Sequence, residues 1–290
     1  MFVVSLIAQP GKLDAEIAET LRNAWGGGDI NFLSLYEAAE FLLPVRPNNF
    51  GEIWKDFQAM GVDLVLQKEK SRRKKLLIAD MDSTMIAQEC IDELAEEAGV
   101  GEAVKKITLS AMNGEIDFSE ALVERIGLLK GASKDIIKTV IEQRISYVSG
   151  ADILVATMKA HGAYTALVSG GFTAFTEHVS SKLGFDEHRA NILLIKGALL
   201  TGEVAKPVLG KQAKVEALEE LTDRLSIKDK DVIAVGDGAN DLGMLSRAGT
   251  GVAMRAKPAV RANCDLKVNF GDLSALLYLQ GFSKDEFVIS

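Results

Sequence analysis

Residues 76–84 read Leu-Leu-Ile-Ala-Asp-Met-Asp-Ser-Thr, an apolar run of four residues followed by two aspartates that are one residue apart. A short apolar run without polar alternation is typical of a strand buried on both faces, as in a parallel sheet covered by helices. Residues 164–168, 232–235 and 252–254 form similar runs, and segments with helical periodicity separate them. This order predicts an α/β fold with a doubly wound, Rossmann-like parallel sheet.

Polar residues directly follow three of these predicted strands. Asp80 and Asp82 follow the first strand, and Ser169 and Gly170 open a Ser-Gly-Gly-Phe sequence after the second. The third strand leads into Gly-Asp-Gly-Ala-Asn-Asp at residues 236–241. Ligands of open α/β sheets bind outside the carboxyl ends of the strands. The three clusters therefore predict one site at a single edge of the sheet.

Three carboxylates, Asp80, Asp82 and Asp237, are expected to meet at this site. Without a cation they would repel each other by about 4 kcal/mol per pair at about 4 Å, with an effective dielectric constant of about 20. A hard divalent cation removes this conflict, and a set of oxygen ligands suits Mg²⁺. The sequence therefore predicts Mg²⁺ as the cofactor.

The second cluster has the features of a phosphate-binding segment. Ser169 and the backbone amide of Gly170 precede a helix predicted to begin near Phe172, and a helix amino terminus with free N–H groups binds anions. Lys214, on a helix predicted over residues 211–225, could add a positive charge for phosphate. A single helix lysine is more often solvated, so the residues alone leave its role open.

About 80 residues separate the first two predicted strands and show little strand character. This length is too great for a simple crossover connection. Glycines end several of the helical patterns within it. The segment is predicted to form a helical cap, inserted at about residues 90–146, whose helices cover residues 91–98, 102–112, 118–129 and 133–143.

Residues 1–67 form a separate predicted unit before the α/β domain. Their pattern of apolar runs predicts the order βαββαβ, which suits a small α+β domain of the ferredoxin-like type. The sequence Lys-Glu-Lys-Ser-Arg-Arg-Lys-Lys follows at residues 68–75 and contains no apolar residue, which indicates a linker. The remaining segment, residues 76–290, is predicted to be the core domain with its cap.

The composition excludes several classes of protein. The chain has 290 residues and a formal net charge of −8, which makes it a poor non-specific partner for nucleic acid or acidic lipid. Two cysteines do not form a disulfide framework, and no stretch approaches the ~18 apolar residues of a membrane span. No signal peptide is evident at the amino terminus. The expectation is a cytoplasmic protein without nucleic-acid or membrane partners.

The same motifs carry a specific resemblance. Asp-Met-Asp-Ser-Thr, Ser-Gly-Gly-Phe, a downstream lysine and Gly-Asp-Gly-Ala-Asn-Asp resemble the haloacid dehalogenase-like phosphatases. Residues 80–99, 112–118 and 236–245 are similar to the phosphoserine phosphatases within that superfamily. The resemblance implies Mg²⁺-dependent hydrolysis of phosphoserine through an aspartyl-phosphate, which is the last step of serine biosynthesis by the phosphorylated pathway.

The resemblance also implies roles for the residues at the sheet edge. Asp80 would be the nucleophile and Asp82 the general acid and base. Asp80, the backbone carbonyl of Asp82 and Asp237 would hold Mg²⁺, and Asp241 would support the metal site or orient the lysine. The phosphoryl oxygens would be bound by four residues: Ser169, Gly170, Lys214 and Asn240.

The cap is implied to recognise the amino acid. Phe118, Leu122 and Arg125 share one helix face by their spacing. Taken alone, this spacing favours an arginine that lies at the edge of an apolar stripe with its charge in water. By the resemblance, Arg125 would instead bind the substrate carboxylate, Glu89 the ammonium group, and Met112 and Phe118 would shield the site from water.

Residues 1–67 resemble ACT-type domains, which implies ligand binding or pairing into a homodimer. For the core, a phosphatase of another small phosphate ester, a phosphomutase, or a phosphotransferase to an alcohol such as homoserine stays open. A dinucleotide-dependent oxidoreductase is excluded because no Gly-x-Gly-x-x-Gly sequence opens a helix after the first strand. A non-catalytic amino-acid sensor would be expected to lack some of the catalytic residues, all of which are present.

Overall fold

The computed structural model describes residues 1–112 and 116–289. At its amino terminus lies a four-stranded antiparallel sheet in the order β2-β3-β1-β4, with two helices. Its elements are β1 (Phe2–Ile7), α1 (Ala15–Trp25), β2 (Asn31–Ser34), β3 (Ala38–Leu43), α2 (Phe50–Ala59) and β4 (Asp63–Lys68). The predicted order βαββαβ is observed, with differences of a few residues at the element ends.

Local sequence signals explain the bounds of α1. The Asp14 carboxylate accepts a hydrogen bond from the Glu16 amide at 2.9 Å and so caps the first turn. The helix ends at Gly26, whose φ of 66° lies in the left-handed region that glycine adopts without strain. Between these ends, Ala18 and Leu21 are buried against the sheet.

The two faces of this sheet have different partners. One face packs on α1 and α2, around a cluster that contains Leu6, Phe41 and Leu64. Side chains of the opposite face, including Ile7 and Val65, belong to the same buried cluster as the core domain. Because side chains alternate along a strand, each strand supplies apolar residues to both clusters.

The core domain is built on a six-stranded sheet in the order β12-β11-β10-β5-β6-β7, and every neighbouring pair is parallel. Helices cover both faces of the sheet, as expected for a doubly wound α/β fold. The predicted fold class is therefore confirmed. In chain order the strands and helices outside the cap are β5 (Leu76–Ala79), α7 (Ala151–Ala160), β6 (Tyr164–Phe172), α8 (Thr173–Leu183), β7 (Glu187–Asn191), β8 (Leu193–Lys196), β9 (Leu199–Val204), α9 (Lys211–Arg224), β10 (Val232–Gly236), α10 (Leu242–Arg247), β11 (Thr250–Met254), α11 (Pro258–Asn263), β12 (Leu266–Val268) and α12 (Ala275–Leu279).

The helical cap is inserted between β5 and α7. The cap residues that the structure describes form four helices, α3 (Cys90–Glu97), α4 (Gly101–Met112), α5 (Phe118–Gly127) and α6 (Asp135–Gln143). Asp117 caps α5, since its carboxylate accepts the amides of Ser119 and Glu120. The two chain segments that join the cap to the core lie side by side, with a bridge between Ile86 and Tyr147.

The basic segment at residues 68–75 contacts both parts of the chain. The Arg72 guanidinium donates two hydrogen bonds to the Glu40 carboxylate, at 2.6 and 3.1 Å, and is largely buried. The Arg73 guanidinium lies over the Phe282 ring and donates to Glu286 at 2.7 Å. The segment is thus fixed by ion pairs at its centre, although its composition alone is that of a solvated linker.

No helix among the described residues is both long enough and apolar enough to cross a membrane.

Candidate active site

The carboxyl ends of four neighbouring strands meet around a cavity of about 900 Å³. Asp80 and Asp82 follow β5, the Ser169–Gly171 segment lies within β6, and Asp237 follows β10. The cap closes the opposite side, because residues of α3 and α5 also line the cavity. The predicted convergence of the three polar clusters at one sheet edge is therefore observed.

The centre of the site is a buried ion-pair triad. Lys214 lies in the first turn of α9, only 1% exposed, and its Nζ is 2.5 Å from Asp80 Oδ1 and 2.6 Å from Asp241 Oδ1. Burial alone would lower the pKa of Lys214, but the carboxylates of Asp241 and Asp80 raise it above its ordinary value. This lysine is therefore charged at neutral pH and aimed at the centre of the site.

Three acidic side chains lie close enough to share a cation. One oxygen each of Asp80, Asp237 and Asp241 lies within 4.8 Å of the other two, and all three residues are buried. Burial raises the pKa of Asp80, and the nearby Asp241 charge raises it further, while the Lys214 charge acts in the opposite direction. Buried carboxylate oxygens in this number fit a hard divalent cation such as Mg²⁺. The Asp82 carboxylate is not a member of this cluster.

Asp82 is instead held by two hydrogen bonds beside the metal cluster. Its Oδ1 accepts from the Cys90 amide at 2.9 Å, and its Oδ2 accepts from Ser169 Oγ at 3.1 Å. Burial raises the pKa of Asp82, while these donors act in the opposite direction. A carboxyl group with a raised pKa exchanges its proton more readily near neutral pH.

The Ser169–Gly171 segment approaches Asp82 too closely for a side chain. A Cβ at Gly171 would lie 2.7 Å from Asp82 Oδ2 and 3.0 Å from Ser169 Oγ, so only glycine fits. The Gly171 amide donates to Ser169 Oγ at 2.8 Å. This segment was predicted to precede a helix that begins near Phe172. It forms the end of β6, and α8 begins at Thr173, within one residue of that prediction.

The Gly-Asp-Gly-Ala-Asn-Asp segment folds around its last residue. Asp241 Oδ2 accepts the backbone amides of Asp237 and Gly238, at 3.1 and 3.0 Å, while its other oxygen binds Lys214. Asp241 is thus hydrogen-bonded both to its own turn and to the Lys214 ammonium. Asn240 lines the cavity on the rim of this turn.

On the cap side, Glu89 and Arg125 line the same cavity. Arg125 is only 9% exposed, and its Nε donates to the Ala121 carbonyl at 3.2 Å. The arginine therefore does not lie at a solvated edge of α5, as the spacing alone favoured. Glu89 Oε1 accepts from Ser83 Oγ at 2.9 Å, and burial together with the Asp82 charge raises the pKa of Glu89 to about 7.

Two further residues, Met112 and Phe118, were predicted to shield the site from the cap side. Met112 is the last residue of α4 and Phe118 the first residue of α5. Their side chains lie outside the part of the chain that the structure describes, and so does the loop between them at residues 113–115.

Sequence reasoning missed three charged residues that line the cavity: Asp92, Lys211 and Lys257. Lys257 follows β11, the fourth strand to end at this edge, and its Nζ lies 3.8 Å from Asp237 Oδ2 and 4.0 Å from Glu89 Oε1. Asp92 lies one turn after Glu89 on α3 and also lines the cavity. Lys257 follows a predicted strand by three residues, so the sequence could have placed it at the same sheet edge. Asp92 could not be found in this way, because acidic residues are common in the first turn of a helix.

Residues 77–246 match the family model described as haloacid dehalogenase-like hydrolase. The match covers more than half of the chain, and the fold and the acidic cluster at the sheet edge agree with it. The chain therefore belongs to the haloacid dehalogenase-like hydrolase family.

Among the similar proteins, one relative is named as a probable phosphoserine phosphatase and one solved structure as a phosphoserine phosphatase, while another structure is named as a HAD family hydrolase. The chain is 44% identical over 218 residues to a probable phosphoserine phosphatase of Schizosaccharomyces pombe, covering 74% of this chain and 73% of the relative. A phosphoserine phosphatase structure described as a phospho-aspartyl intermediate analogue is 41% identical, with a TM-score of 0.67 over 71% of this chain and 98% of that one. A HAD family hydrolase from Salmonella enterica serovar Typhi has a TM-score of 0.87 and 31% identity, covering 99% of this chain and 100% of the other.

Proposed function

We propose that this chain is a Mg²⁺-dependent phosphoserine phosphatase, which hydrolyses O-phospho-L-serine to L-serine and inorganic phosphate. One observation carries the proposal: a single cavity is lined by Asp80, the exposed end of the Asp80–Lys214–Asp241 triad, and by the separated charges of Glu89 and Arg125. The triad suits a phosphoryl group. The cap charges suit the ammonium and carboxylate groups of an amino acid.

In the first step, Asp80 attacks the phosphorus and forms an aspartyl-phosphate while the bond to the serine oxygen breaks. Asp82 donates its proton to that oxygen, so serine leaves as a neutral alcohol. In the second step, Asp82 takes a proton from water, which attacks the same phosphorus and releases phosphate and the free Asp80 carboxylate. The raised pKa of Asp82 supports both duties, since one group must give a proton and then accept one.

Charge neutralisation is the other requirement of phosphoryl transfer. Lys214, Ser169 and the Gly170 amide would bind the phosphoryl oxygens, with Asn240 nearby. Mg²⁺, when bound by Asp80, the Asp82 backbone carbonyl and Asp237, would add positive charge against the phosphoryl oxygens. Asp241 would hold Lys214 and support the metal site.

The cap would select the substrate by its charges. Arg125 can bind a carboxylate through two parallel N–H groups, and burial strengthens this interaction because water competes less. Glu89 would bind the ammonium group. In the same proposal, Met112 and Phe118 shield the reacting groups from bulk water.

The proposal also includes the pathway, the cell compartment and the oligomeric state of the enzyme. It would act at the last step of serine biosynthesis, in the cytoplasm, where its two free cysteines, Cys90 and Cys264, would stay reduced. A homodimer formed through residues 1–67 would use the β2 edge or the outer faces of α1 and α2, because both faces of that sheet pack within the chain.

The test is a panel of phosphate esters assayed with Mg²⁺, comparing kcat/KM. Phosphoserine is expected to be the best substrate, ahead of phosphohomoserine, phosphoethanolamine and phosphoglycolate. Asp80→Asn should remove turnover of every ester, and a chelator should do the same for the unaltered protein. An equal kcat/KM for phosphoserine and phosphoethanolamine, which lacks the carboxylate, would refute the assignment of Arg125.

A further inference from the structure

Asn191, the last residue of β7, is only 2% exposed and uses both of its N–H groups. Its Nδ2 donates to the carbonyl of Gly170 at 2.9 Å and to the carbonyl of Leu209 at 3.1 Å. Its Oδ1 accepts from the Leu209 amide at 2.7 Å. One buried amide therefore connects two chain segments that lie 39 residues apart in sequence (209 − 170).

The need for this amide follows from an irregularity in the sheet. The pairing of β6 with β7 is regular up to Val168 and resumes only at Phe172, opposite Asn191. The residues between bulge away from the ladder, as β-bulges next to active sites do. Because Gly170 lies in the bulge, its carbonyl is outside the regular hydrogen bonding between the strands. The Asn191 side chain donates the hydrogen bond to this carbonyl instead.

The hydrogen bond from Asn191 to the Gly170 carbonyl also orients the Gly171 amide, on the opposite side of the same peptide unit. The Gly170 carbonyl and the Gly171 amide belong to one planar peptide unit. On one side that unit accepts from Asn191, and on the other it donates to Ser169 Oγ, which in turn contacts Asp82 at 3.1 Å. Asn191 thereby sets the orientation of the Ser169 hydroxyl without touching the cavity.

The second segment leads directly to the catalytic lysine. Leu209 lies two residues before α9, whose first turn carries Lys214. Both backbone groups of Leu209 are bound by Asn191, so the start of the helix is held against the end of β7. One side chain therefore links the Ser169–Gly171 segment to the start of the helix that carries Lys214.

We infer that Asn191 is a positioning residue for the phosphoryl group: it holds the Ser169–Gly171 segment and the start of α9 at the separation that binding requires. The inference rests on the proposed function only for the identity of the ester, because any phosphate monoester presents the same oxygens. Misplacing a binding group by about 1 Å costs up to about 100-fold in rate.

Two substitutions test the inference. Asn191→Ala removes all three hydrogen bonds. Asn191→Asp keeps the shape of the side chain but turns acceptor oxygens toward the carbonyls of Gly170 and Leu209. The measurement is the Kd of inorganic phosphate with Mg²⁺ present, by calorimetry, alongside the Kd of L-serine and the KM and kcat for phosphoserine. We expect phosphate to bind at least about tenfold more weakly in both variants, while L-serine affinity changes by less than about twofold.

Thr165→Val is the matched control, because Thr165 joins β6 to the residue that precedes β7, at the amino ends of these strands and away from the cavity. Its Oγ1 donates to Asp186 Oδ2 at 2.9 Å and accepts the Asp186 amide at 3.1 Å. This control should lower Tm and leave phosphate affinity unchanged within about a factor of two.

Unchanged phosphate affinity in both Asn191 variants would overturn the inference, and so would their failure to fold where Thr165→Val folds. If the unaltered protein bound phosphate but did not hydrolyse phosphoserine, the proposed function would fail, and the phosphate Kd would still decide the role of Asn191.

Discussion

At the scale of single residues, Lys214 decides whether the acidic centre can exist without a metal ion. Its ammonium lies between Asp80 and Asp241 and is shielded from water on all sides. Removing one member of a buried ion pair leaves the other charges uncompensated, which is far more costly than losing an exposed pair. The lysine is therefore expected to matter for folding as well as for catalysis.

Lys214→Met keeps an unbranched side chain only one heavy atom shorter and removes the charge. Without Mg²⁺, the free energy of unfolding should fall by about 3–5 kcal/mol, because Asp80 and Asp241 then face each other without a counter-charge. The kcat for phosphoserine should fall by about 10²–10³-fold even at saturating Mg²⁺, because a donor to the phosphoryl group is lost. Denaturant unfolding and steady-state kinetics measure the two effects.

Lys211→Met serves as the stability control for this prediction, because Lys211 is an exposed residue of the same helical turn. Its unfolding free energy should stay within about 0.5 kcal/mol of the unaltered protein. Similar stability losses in the two variants would show that the central ion pairs contribute nothing beyond a surface lysine.

A pH dependence follows from Glu89. Burial raises the pKa of Glu89 to about 7, with a further contribution from the Asp82 charge. Below this value the carboxyl group is neutral and loses its attraction for an ammonium group; above it the group is ionised. The kcat/KM for phosphoserine, divided by that for phosphoglycolate, should therefore rise between about pH 6 and about pH 8. The ratio cancels the ionisation of the phosphate, which both esters share.

Glu89→Gln should make this ratio independent of pH, because glutamine does not ionise. A ratio that kept its rise in the variant would assign the titration to another group. The carboxylate of Glu89 would then have no part in binding the ammonium.

At the scale of elements, Asp63 anchors a loop of the core domain. This first residue of β4 is fully buried, and its carboxylate accepts the backbone amides of Asn269, Phe270 and Gly271 at 2.7, 3.0 and 2.8 Å. The Gly271 carbonyl in turn accepts from the Arg255 guanidinium at 3.0 Å, two residues before Lys257. The amino-terminal sheet is thereby connected to the segment that borders the active-site cavity.

Asp63→Asn keeps the size of this side chain but replaces one of its acceptor oxygens with a donor. At least one backbone amide of the loop is left without an acceptor, and the others lose a charged one. We expect a loss of at least about 2 kcal/mol in unfolding free energy. Asp29→Asn, at an exposed position of the same unit, should change it by less than about 0.5 kcal/mol. Equal values for the two variants would contradict the anchoring role.

The sequence predicted the elements whose apolar pattern is continuous and missed those without one. β5 was predicted to the residue, because it is a continuous apolar run that is buried on both sides. β7 reads Glu-His-Arg-Ala-Asn and lies at a sheet edge, so it has no apolar run, and β12 has only three residues. Edge and very short strands depend on partners that only the folded chain supplies.

The same reasoning explains which site residues could be found. Asp80 and Asp237 follow apolar strands directly, so their place at the sheet edge is implied by the sequence. Lys214 and Arg125 lie on helices, where spacing alone favours a solvated side chain, and only the resemblance marked them. Asn191 carried no signal at all, because its partners Gly170 and Leu209 are brought together by the fold.

At the scale of the whole molecule, the amino-terminal unit is packed into the structure instead of being tethered to it. Ile7 and Val65 share a buried cluster with Leu276 and Tyr278 of α12, and α12 lies against β1. A freely moving regulatory domain would be expected to present a polar surface to its neighbour. Here the buried apolar face makes the unit part of the stability of the whole chain.

A chain of residues 69–290 should therefore be less stable than the full chain. Removing the amino-terminal unit exposes the apolar side of α12 and leaves the loop at residues 269–271 without its carboxylate acceptor. A Tm lower by about 10 °C corresponds to the loss of about 3–5 kcal/mol that these contacts suggest. At a temperature where the shortened chain stays folded, its KM for phosphoserine should match that of the full chain, because every proposed catalytic residue lies after residue 75. An unchanged Tm with an altered KM would instead assign the unit a regulatory role, since stability and substrate binding respond to different contacts.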